Sequence, residues 1–426
     1  MKLYLPLVYF LLLIFTQSLC AQDHFELKWD QIATLPAIDG KESLGFAGMY
    51  AGEHKGVIIM AGGANFPDGL PWEGGVKRWW DKIYVLQTKG DGFEWNSKVR
   101  GLLPENLGYG AAVSTPDGLL LIGGENASGP KKSVYLLSWN SSSEEVEVTN
   151  FPDLPIPLSH SSAAIIGSKV YLAGGESSHT SGDFWALELK DSPPIWEPLP
   201  SWPGPARSNA ALIAQSNGSE EKLYLIGGRK KTDSGVSDLF SDVYSYDPYG
   251  SSWSIEENIL DSAGHKITLS AFAAAAVGSS HILVFGGVKG ENFSWLEETA
   301  GKLSSSSLDS LLREELISER NQLLNNHPGF SKQVLAYHTI TKTWTTLEQL
   351  PFNSPVNTMA VAFGDAILLP SGEIFPGVRS PQIQRLTIAN IQGFGTLNYL
   401  VLIGALSIVI VIGVIISKKY FNASTS

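Results

Sequence analysis

The stretch Lys222-Leu-Tyr-Leu-Ile-Gly-Gly228 is an apolar run that ends in a pair of glycines, and it decides the fold because it recurs along the chain. A short apolar run before a diglycine predicts a buried β-strand followed by a turn. Five further copies follow the same pattern, at residues 56–63, 118–124, 169–175, 281–287 and 366–372. In the last copy Ser371 stands where the others have their first glycine.

The spacing of the copies indicates one repeated unit. Their second glycines lie at positions 63, 124, 175, 228, 287 and 372. Most of these intervals resemble the kelch repeat, which has about 50 residues per blade of a propeller. Such a unit is a four-stranded sheet that cannot bury both faces alone, whereas six sheets around a channel bury one another. The sequence therefore predicts an all-β fold, a six-bladed kelch-type β-propeller over residues 22–389.

The last blade needs a strand from the other end of the chain. Only one strand-like segment, residues 382–388, follows the sixth copy, and the tryptophan-bearing outer strand is missing there. The segment Phe25-Glu-Leu-Lys-Trp29 has the sequence of such an outer strand. We therefore expect the first strand of the mature chain to complete the last blade, which removes the free edge of the ring.

The longest interval contains an insertion, at about residues 291–330. Within it Leu308, Leu311, Leu312 and Leu316 recur at helical spacing among charged residues, which predicts one short helical segment or two. Because it follows a diglycine, the insertion is expected at the rim of the channel. A lid over the channel and a tolerated surface insertion both remain open at this point.

Both ends of the chain carry apolar segments outside the propeller. Residues 3–15 are apolar after Lys2, and small residues precede a cut after Cys20, so residues 1–20 are predicted to be a cleaved signal peptide. Residues 397–416 are apolar, uncharged and followed by Lys418 and Lys419. This pattern predicts a single transmembrane helix after a linker at 390–396 and before a cytoplasmic tail at 417–426. The propeller is then periplasmic or otherwise extracytoplasmic, and the C-terminal helix anchors it in the membrane.

Composition limits the classes of partner and of cofactor. The chain has 30 Lys and Arg against 42 Asp and Glu, a net charge of −12, which argues against nucleic acid. Cys20 is the only cysteine, and the eight histidines form no ligand pair at close spacing. Neither a thiolate nor a histidine metal site is therefore expected, and we expect no cofactor.

Polar residues directly after the diglycines suggest a binding site. Because the strand geometry repeats, these residues should surround one mouth of the channel; they include Asn65, Glu125, Glu176, Arg229 and Glu373. Carboxylates and cations that converge on one cavity suit a small polar anion. For Glu125 and Glu176, a purely structural role in capping or ion pairing remains an alternative.

Glu373 and Arg379 share one loop. Between them, Pro376 and Gly377 form a tight turn that can fold the arginine back towards the carboxylate. A glutamate can exchange protons with a substrate, and an arginine can bind a carboxylate through two parallel hydrogen bonds. From spacing alone, a structural ion pair between the two is the alternative.

Several motifs together resemble a known family. They are Gly-Glu-x-x-x-Gly-Val-Arg at 372–379, Gly-Phe-Ala-Gly-Met at 45–49, Gly-Gly-Ala-Asn at 62–65, the segment 242–248 and Gly-Gly-Val at 286–288. They are similar to the kelch-repeat N-acetylneuraminate epimerase (sialic acid mutarotase) family, and the order of the blades resembles its cyclically permuted branch. The resemblance implies that Glu373 is the proton acceptor and that Arg379 engages the sugar acid.

The resemblance also suggests further binding residues. Arg207 occupies a matching position in Gly204-Pro-Ala-Arg207, and Asn65, Trp72, Glu73 and Lys77 lie in a first-blade loop where the family carries polar residues. Together with Glu125, Glu176 and Arg229 they are the candidate ligands of the substrate.

The implied reaction interconverts the α and β anomers of free N-acetylneuraminate through the open-chain keto acid. A sialidase is disfavoured, because no series of Asp-box repeats occurs at blade spacing. Two non-catalytic alternatives remain open: a propeller that binds sialosides, and a module associated with a sialic acid transporter, for which the C-terminal helix is the only indication.

Overall fold

Six four-stranded sheets follow one another along the chain. The structure, a computed structural model, describes residues 25–389 except residue 39, and it leaves the side chain of Glu291 undescribed. Residues 29–387 form one unit, which is the propeller. A second unit combines the chain ends, of which only residues 25–28 and 388–389 are described.

The predicted signal peptide, linker, transmembrane helix and cytoplasmic tail all lie outside the described residues. Within the described part of the chain, no helix has the length and apolar character needed to cross a bilayer.

The strands of the first half of the chain are β1 (Glu26–Thr34), β2 (Tyr50–His54), β3 (Val57–Ala61), β4 (Ala64–Asn65), β5 (Arg78–Trp79), β6 (Ile83–Lys89), β7 (Gly92–Trp95), β8 (Ala111–Thr115), β9 (Gly118–Asn126), β10 (Gly129–Asn140), β11 (Glu145–Phe151), β12 (Ser162–Ile166), β13 (Lys169–Ala173), β14 (Phe184–Glu188) and β15 (Trp196–Leu199). One short 3₁₀ helix, Pro71–Glu73, lies between β4 and β5.

The second half contains two helices between β23 and β24, named α1 (Gly290–Ser304) and α2 (Ser310–Asn325). Its strands are β16 (Ala211–Ser216), β17 (Glu221–Ile226), β18 (Arg229–Lys231), β19 (Ser237–Leu239), β20 (Val243–Asp247), β21 (Ser252–Ile255), β22 (Ala273–Val277), β23 (His281–Phe285), β24 (Gln333–His338), β25 (Thr343–Gln349), β26 (Val361–Phe363), β27 (Ala366–Pro370), β28 (Glu373–Phe375), β29 (Val378–Arg379) and β30 (Gln382–Ala389).

The sheets confirm the six-bladed propeller. From inside to outside, the blades are β2-β3-β6-β7, β8-β9-β10-β11, β12-β13-β14-β15, β16-β17-β20-β21, β22-β23-β24-β25 and β26-β27-β30-β1. Three short hairpins, β4-β5, β18-β19 and β28-β29, project from the first, fourth and sixth blades.

The last blade joins the two ends of the propeller. Strand β1 lies beside β30 as its outer strand. Within this pair, the guanidinium of Arg385 donates two hydrogen bonds to the carboxylate of Asp30, at 2.9 and 2.8 Å. Since the first described strand supplies the edge of the last blade, the ring closes without an open gap between blades.

The core lies between neighbouring blades. Between the third and fourth blades, the ring of Phe184 lies 4.9 Å from that of Tyr246 and 5.0 Å from that of Trp253. Aromatic side chains bury large areas, and edge-to-face contacts of this kind add about 0.5–1.5 kcal/mol per pair. The alternating aromatic residues of each repeat therefore join the blades.

A ring of backbone hydrogen bonds lies at one end of the channel. The inner strands enclose a cavity of about 480 Å³, and alanine is the commonest residue of its walls. Just before each inner strand, one residue adopts a left-handed conformation with φ between 52° and 65°. We call these six residues the αL ring: Gly48, Tyr109, His160, Asn209, Ala271 and Asn357.

Each αL-ring residue donates its N–H to the carbonyl oxygen of its counterpart in the preceding blade, and Gly48 donates to Asn357. The six N···O distances lie between 2.6 and 3.0 Å. The ring is therefore a closed belt across all six blades.

Ser371 shows how the sixth copy tolerates the loss of a glycine. Its φ is 58°, in the region that favours glycine. Its hydroxyl accepts a hydrogen bond from the N–H of Phe46 at 2.8 Å and lies 2.7 Å from the carbonyl oxygen of Ser380, to which it can donate. These bonds offset the backbone strain and join the sixth blade to the loop before the first.

Candidate functional site

The residues after the six diglycine positions occupy equivalent places beside the αL ring. Each forms an antiparallel bridge with the residue that immediately precedes an αL-ring member. The six bridges are Ala47 with Ala64, Gly108 with Glu125, Ser159 with Glu176, Ser208 with Arg229, Ser270 with Val288, and Val356 with Glu373. Four charged side chains are thus set around one mouth by the repeated backbone geometry.

Glu373 and Arg379 face each other across the hairpin of β28 and β29. The two residues are register partners, and Gly377 in the turn has a φ of 76°. Arg379 Nη1 lies 3.5 Å from Glu373 Oε1, and the N–H of Gly377 donates to the same oxygen at 2.8 Å. The other oxygen, Oε2, accepts from Nδ2 of Asn357 at 3.4 Å. The loop thus brings a carboxylate and a guanidinium together.

Arg379 is buried without a full set of acceptors. Its side chain is 4% exposed, and its Nη2 donates to the hydroxyl of Tyr109 at 3.4 Å. The ring of Phe66 lies 4.7 Å from its Cζ. Its Nε and Nη1 have no hydrogen-bond partner among the described residues. Because buried polar groups are nearly always paired, a guanidinium in this state is suited to receive an anionic ligand.

A second group of side chains lies next to Tyr109. The ammonium of Lys77 lies 4.0 Å from the centre of the Tyr109 ring and 3.1 Å from Glu125 Oε1. The His160 ring lies 5.0 Å from that of Tyr109, and its Nδ1 is 3.9 Å from Glu125 Oε2. Burial lowers the pKa of His160 despite the opposing charges of Glu176 and Glu125, so the imidazole is neutral at pH 7.

Arg229 connects the mouth to the helical insertion. Its Nη2 lies 3.2 Å from Glu176 Oε1, and its Nη1 lies 3.1 Å from Glu297 Oε1 of α1. Glu176 also accepts from the Ser208 hydroxyl at 2.6 Å. Burial raises the pKa of Glu176, but the charge of His160 once it is protonated at acid pH, the charge of Arg229 and the Ser208 hydrogen bond outweigh this effect and hold that pKa below its ordinary value. Glu176 is therefore ionised at neutral pH.

The insertion contacts the loops of three other blades. Glu297 holds α1 to β19, accepting from the backbone N–H of Ser237 at 2.6 Å and from its hydroxyl at 2.9 Å. At the end of α2, Asn325 accepts from Trp72 Nε1 at 2.9 Å. Gly329 lies against Phe375 of the β28-β29 hairpin. These contacts favour a lid, because a tolerated surface insertion would not need to touch the loops of three blades.

Glu297 is expected to fix α1 against the mouth. Substitution Glu297→Ala removes three hydrogen bonds, so amide exchange in α1 should become about tenfold faster, a local loss of about 1.4 kcal/mol. Hydrogen exchange read by mass spectrometry checks this, with Glu298→Ala as the matched control on the same helix. Unchanged exchange in α1 would contradict the assigned role of Glu297.

Three of the predicted ligands have structural hydrogen-bond partners in the fold. Arg207 is 0% exposed and donates two hydrogen bonds to Asp242, at 2.7 and 2.9 Å, and one to the carbonyl of Gly227 at 2.8 Å. We therefore correct its expected role from substrate binding to a structural ion pair. A buried guanidinium with these partners stabilises the fourth blade and is closed to a ligand.

Asn65 and Glu73 also have structural partners. Asn65 is 3% exposed, with its amide donating to Gly45 O at 3.0 Å and its oxygen accepting from Trp80 Nε1 at 2.9 Å. Glu73 Oε2 accepts from the N–H of Leu70 at 3.4 Å, and so caps the short 3₁₀ helix. Of the predicted residues, the structure brings Glu373, Arg379, Lys77, Glu125, Glu176 and Arg229 to the mouth.

Sequence reasoning missed the side chains of the αL ring and of the insertion. Tyr109, His160 and Asn357 contact the candidate residues, yet they come before the inner strands rather than after the diglycines. The signal that could have found them is their constant position, just ahead of the inner strand in every repeat. Glu297 carries no repeat signal, because the insertion occurs once.

The chain is similar to a set of known proteins. A family model described as N-acetylneuraminate epimerase matches residues 16–146 and 151–397. A Brucella melitensis protein named N-acetylneuraminate epimerase is 39% identical over 130 residues, 28% of this chain and 32% of that protein.

Two further proteins of the same name align over longer segments. The one from Haemophilus influenzae is 26% identical over 238 residues, 54% of this chain and 58% of its own length. The one from Salmonella typhi is 27% identical over 245 residues, 56% of this chain and 58% of its own length. The aligned part of the chain thus spans between about a third and three-fifths of these relatives.

Proposed function

Because the chain belongs to the N-acetylneuraminate epimerase family, we propose that it is a sialic acid mutarotase, which interconverts the α and β anomers of free N-acetylneuraminate. Ring opening requires a proton to leave the anomeric hydroxyl and another to reach the ring oxygen. Reclosure of the open-chain keto acid on the opposite face gives the other anomer. The reaction proceeds slowly in water, so positioned acid and base groups supply the acceleration.

One observation carries the proposal: a buried guanidinium with unfilled donors lies 3.5 Å from a carboxylate. In a sialic acid the carboxylate, the anomeric hydroxyl and the ring oxygen are all attached to the same carbon. An arginine that binds the acid group therefore brings the anomeric hydroxyl beside any base next to that arginine. Arg379 and Glu373 have this relation, and we assign them as anion clamp and proton acceptor.

The remaining mouth residues suit a polyhydroxylated ligand. Lys77, Glu125, Glu176 and Arg229 present charged groups, and Glu176 Oε2 accepts no hydrogen bond among the described residues. Carboxylate oxygens accept strong hydrogen bonds from hydroxyl groups. We propose that these residues bind the hydroxyl and amide substituents of the sugar.

The native protein is expected to accelerate anomer exchange of free N-acetylneuraminate. Proton NMR exchange spectroscopy on the C3 protons of the two anomers gives the rate with and without the full-length protein. Glu94→Gln, a change on the outer strand β7, is the control and should match the native protein. Exchange at the buffer rate with folded protein would refute the enzyme and leave a sialoside-binding propeller as the alternative.

Arg379→Ala is expected to weaken substrate binding. A charge-assisted hydrogen bond contributes about 1.5–3 kcal/mol, so KM should rise about 10- to 150-fold. The same exchange experiment at several substrate concentrations gives KM. Arg385→Ala, which removes an arginine far out on the sixth blade, is the matched control, and a KM equal to that of the native protein in both variants would exclude Arg379 as the clamp.

We also propose that the propeller lies outside the cytoplasm, in the periplasm. The apolar segments at residues 3–15 and 397–416 support export of the propeller and anchoring by a C-terminal membrane helix, with a sialic acid transporter as the membrane partner. Protease treatment of intact cells and of spheroplasts tests this. Digestion of the propeller only after the outer barrier is opened would support a periplasmic location, and protection in spheroplasts would contradict it.

A further inference from the structure

Tyr109 holds an unfavourable backbone conformation at the mouth. Its φ is 60°, and a bulky residue in the left-handed region is uncommon. The equivalent position in the first blade is a glycine, Gly48, which shows that the αL ring itself does not need a side chain there. Strain of this kind costs about 1–3 kcal/mol and tends to be retained at functional sites. Four other non-glycine members of the αL ring share this conformation, so what distinguishes Tyr109 is the position of its side chain beside Arg379.

The phenol lies on the opposite edge of the guanidinium from Glu373. Tyr109 is 6% exposed, and its hydroxyl lies 3.4 Å from Arg379 Nη2, while Glu373 Oε1 lies 3.5 Å from Nη1. Two groups able to exchange protons thus flank Arg379, the cation that we assign as the anion clamp. Both would lie beside the anomeric carbon, which bears the two oxygen atoms that must exchange protons.

Cations surround the Tyr109 ring. Lys77 Nζ lies 4.0 Å from its centre, and the Arg379 guanidinium contacts its hydroxyl. The neutral imidazole of His160 covers part of the ring at 5.0 Å. Two positive charges therefore lie within 4.0 Å of the Tyr109 side chain, where they can interact with charge that develops during a reaction.

We propose that Tyr109 is the second proton-transfer residue of the mutarotase, acting at the ring oxygen while Glu373 acts at the anomeric hydroxyl; this rests on the proposed function. In ring opening, the Glu373 carboxylate takes the proton of the anomeric hydroxyl, the bond between the anomeric carbon and the ring oxygen breaks, and the Tyr109 hydroxyl gives its proton to that oxygen.

The reverse transfers close the ring. The new carbonyl group turns its other face, the freed hydroxyl attacks it, and that hydroxyl returns its proton to the Tyr109 phenolate. Glu373 then returns its proton to the former carbonyl oxygen. No proton, electron or co-reactant is gained or lost over the cycle, so both residues end as they began.

Tyr109→Phe tests this role, because it keeps the ring and removes only the hydroxyl. General acid or base groups contribute about 10²- to 10⁴-fold, so kcat for anomer exchange should fall at least a hundredfold while KM stays within threefold. The matched control is Tyr135→Phe on β10, whose hydroxyl donates to Glu105 at 3.1 Å, and it should keep native kcat.

Two results would overturn the inference. Native kcat in Tyr109→Phe with a raised KM would show that the hydroxyl only orients Arg379, and native values of both would show that it does nothing. If the native protein is active and Glu373→Gln is not, either result removes Tyr109 and leaves the proposed function intact. If the native protein is inactive, the proposed function itself fails.

A second variant guards against a folding defect in Tyr109→Phe. Lys77→Met removes the ammonium beside the ring and keeps a side chain of similar length. Loss of this charge should lower kcat about tenfold with Tyr109 in place. Unchanged kcat in Lys77→Met would contradict a phenolate in the cycle.

Discussion

Glu373→Gln should lower kcat for anomer exchange of N-acetylneuraminate by about 10²- to 10⁴-fold, because an amide cannot accept the proton of the anomeric hydroxyl. The amide oxygen can still accept from the N–H of Gly377, so the hairpin should stay in place. Removing a negative charge next to Arg379 does not repel an anionic ligand, and KM should therefore not rise. Exchange NMR at several substrate concentrations measures both constants.

Glu94→Gln on the outer strand β7 controls for the substitution type, and thermal unfolding controls for the fold. A kcat within threefold of the native value in Glu373→Gln would remove Glu373 from the reaction. In that case the interaction with Arg379 would be a structural ion pair, the alternative that the spacing of the motif left open.

Arg207→Ala should destabilise the propeller by about 3–5 kcal/mol, since it leaves the Asp242 carboxylate without the charge that compensates its burial. The Arg207 guanidinium also lies 4.7 Å from the Phe240 ring and 5.1 Å from that of Tyr244, so packing is lost as well. Urea unfolding followed by tryptophan fluorescence measures the change in the free energy of unfolding. Arg385→Ala, which breaks a more exposed pair, should cost at most about 1 kcal/mol.

The same ion pair gives stability a defined pH dependence. Burial raises the pKa of Asp242, but the hydrogen bonds and charge of Arg207 and the Tyr244 hydroxyl outweigh it and hold that pKa below its ordinary value. The resulting stabilisation is fully present above the pKa of the unfolded carboxyl and is lost as pH falls through the lower pKa of the folded state. Arg207→Ala should therefore lose less stability on acidification than the native protein. An equal loss in both would contradict the assignment of Asp242.

The blades could be predicted because their signal repeats. A buried strand followed by a diglycine occurs six times, and each copy must meet the same packing requirement, so one pattern specifies every blade. The outer strand at Trp29 was recognisable because the last blade lacked one. The turn that joins Glu373 to Arg379 was also predictable, since Pro376 and Gly377 restrict the local backbone.

The predictions of site residues were wrong or incomplete where the position of a residue along the chain does not determine its burial. Arg207 and Arg229 both follow or precede turns at the channel end of a blade, yet one is 0% exposed and the other has a side chain 19% exposed. The difference depends on Asp242, whose carboxylate is brought to Arg207 by tertiary packing. Tyr109 was missed because its position before the inner strand repeats in every blade while its residue type does not, so no residue motif marks it.

The αL ring has an electrical consequence. Each peptide group carries a dipole of about 3.5 D, and in a helix these dipoles add up along the axis. In the αL ring the hydrogen bonds run head to tail around a circle, so the components that lie in its plane cancel. The field in that plane therefore comes from side chains such as Arg379, Glu176 and Arg229 rather than from the scaffold. Substitutions at the six equivalent positions after the diglycines can therefore change the sign of the ligand charge that the mouth favours, without any change of backbone.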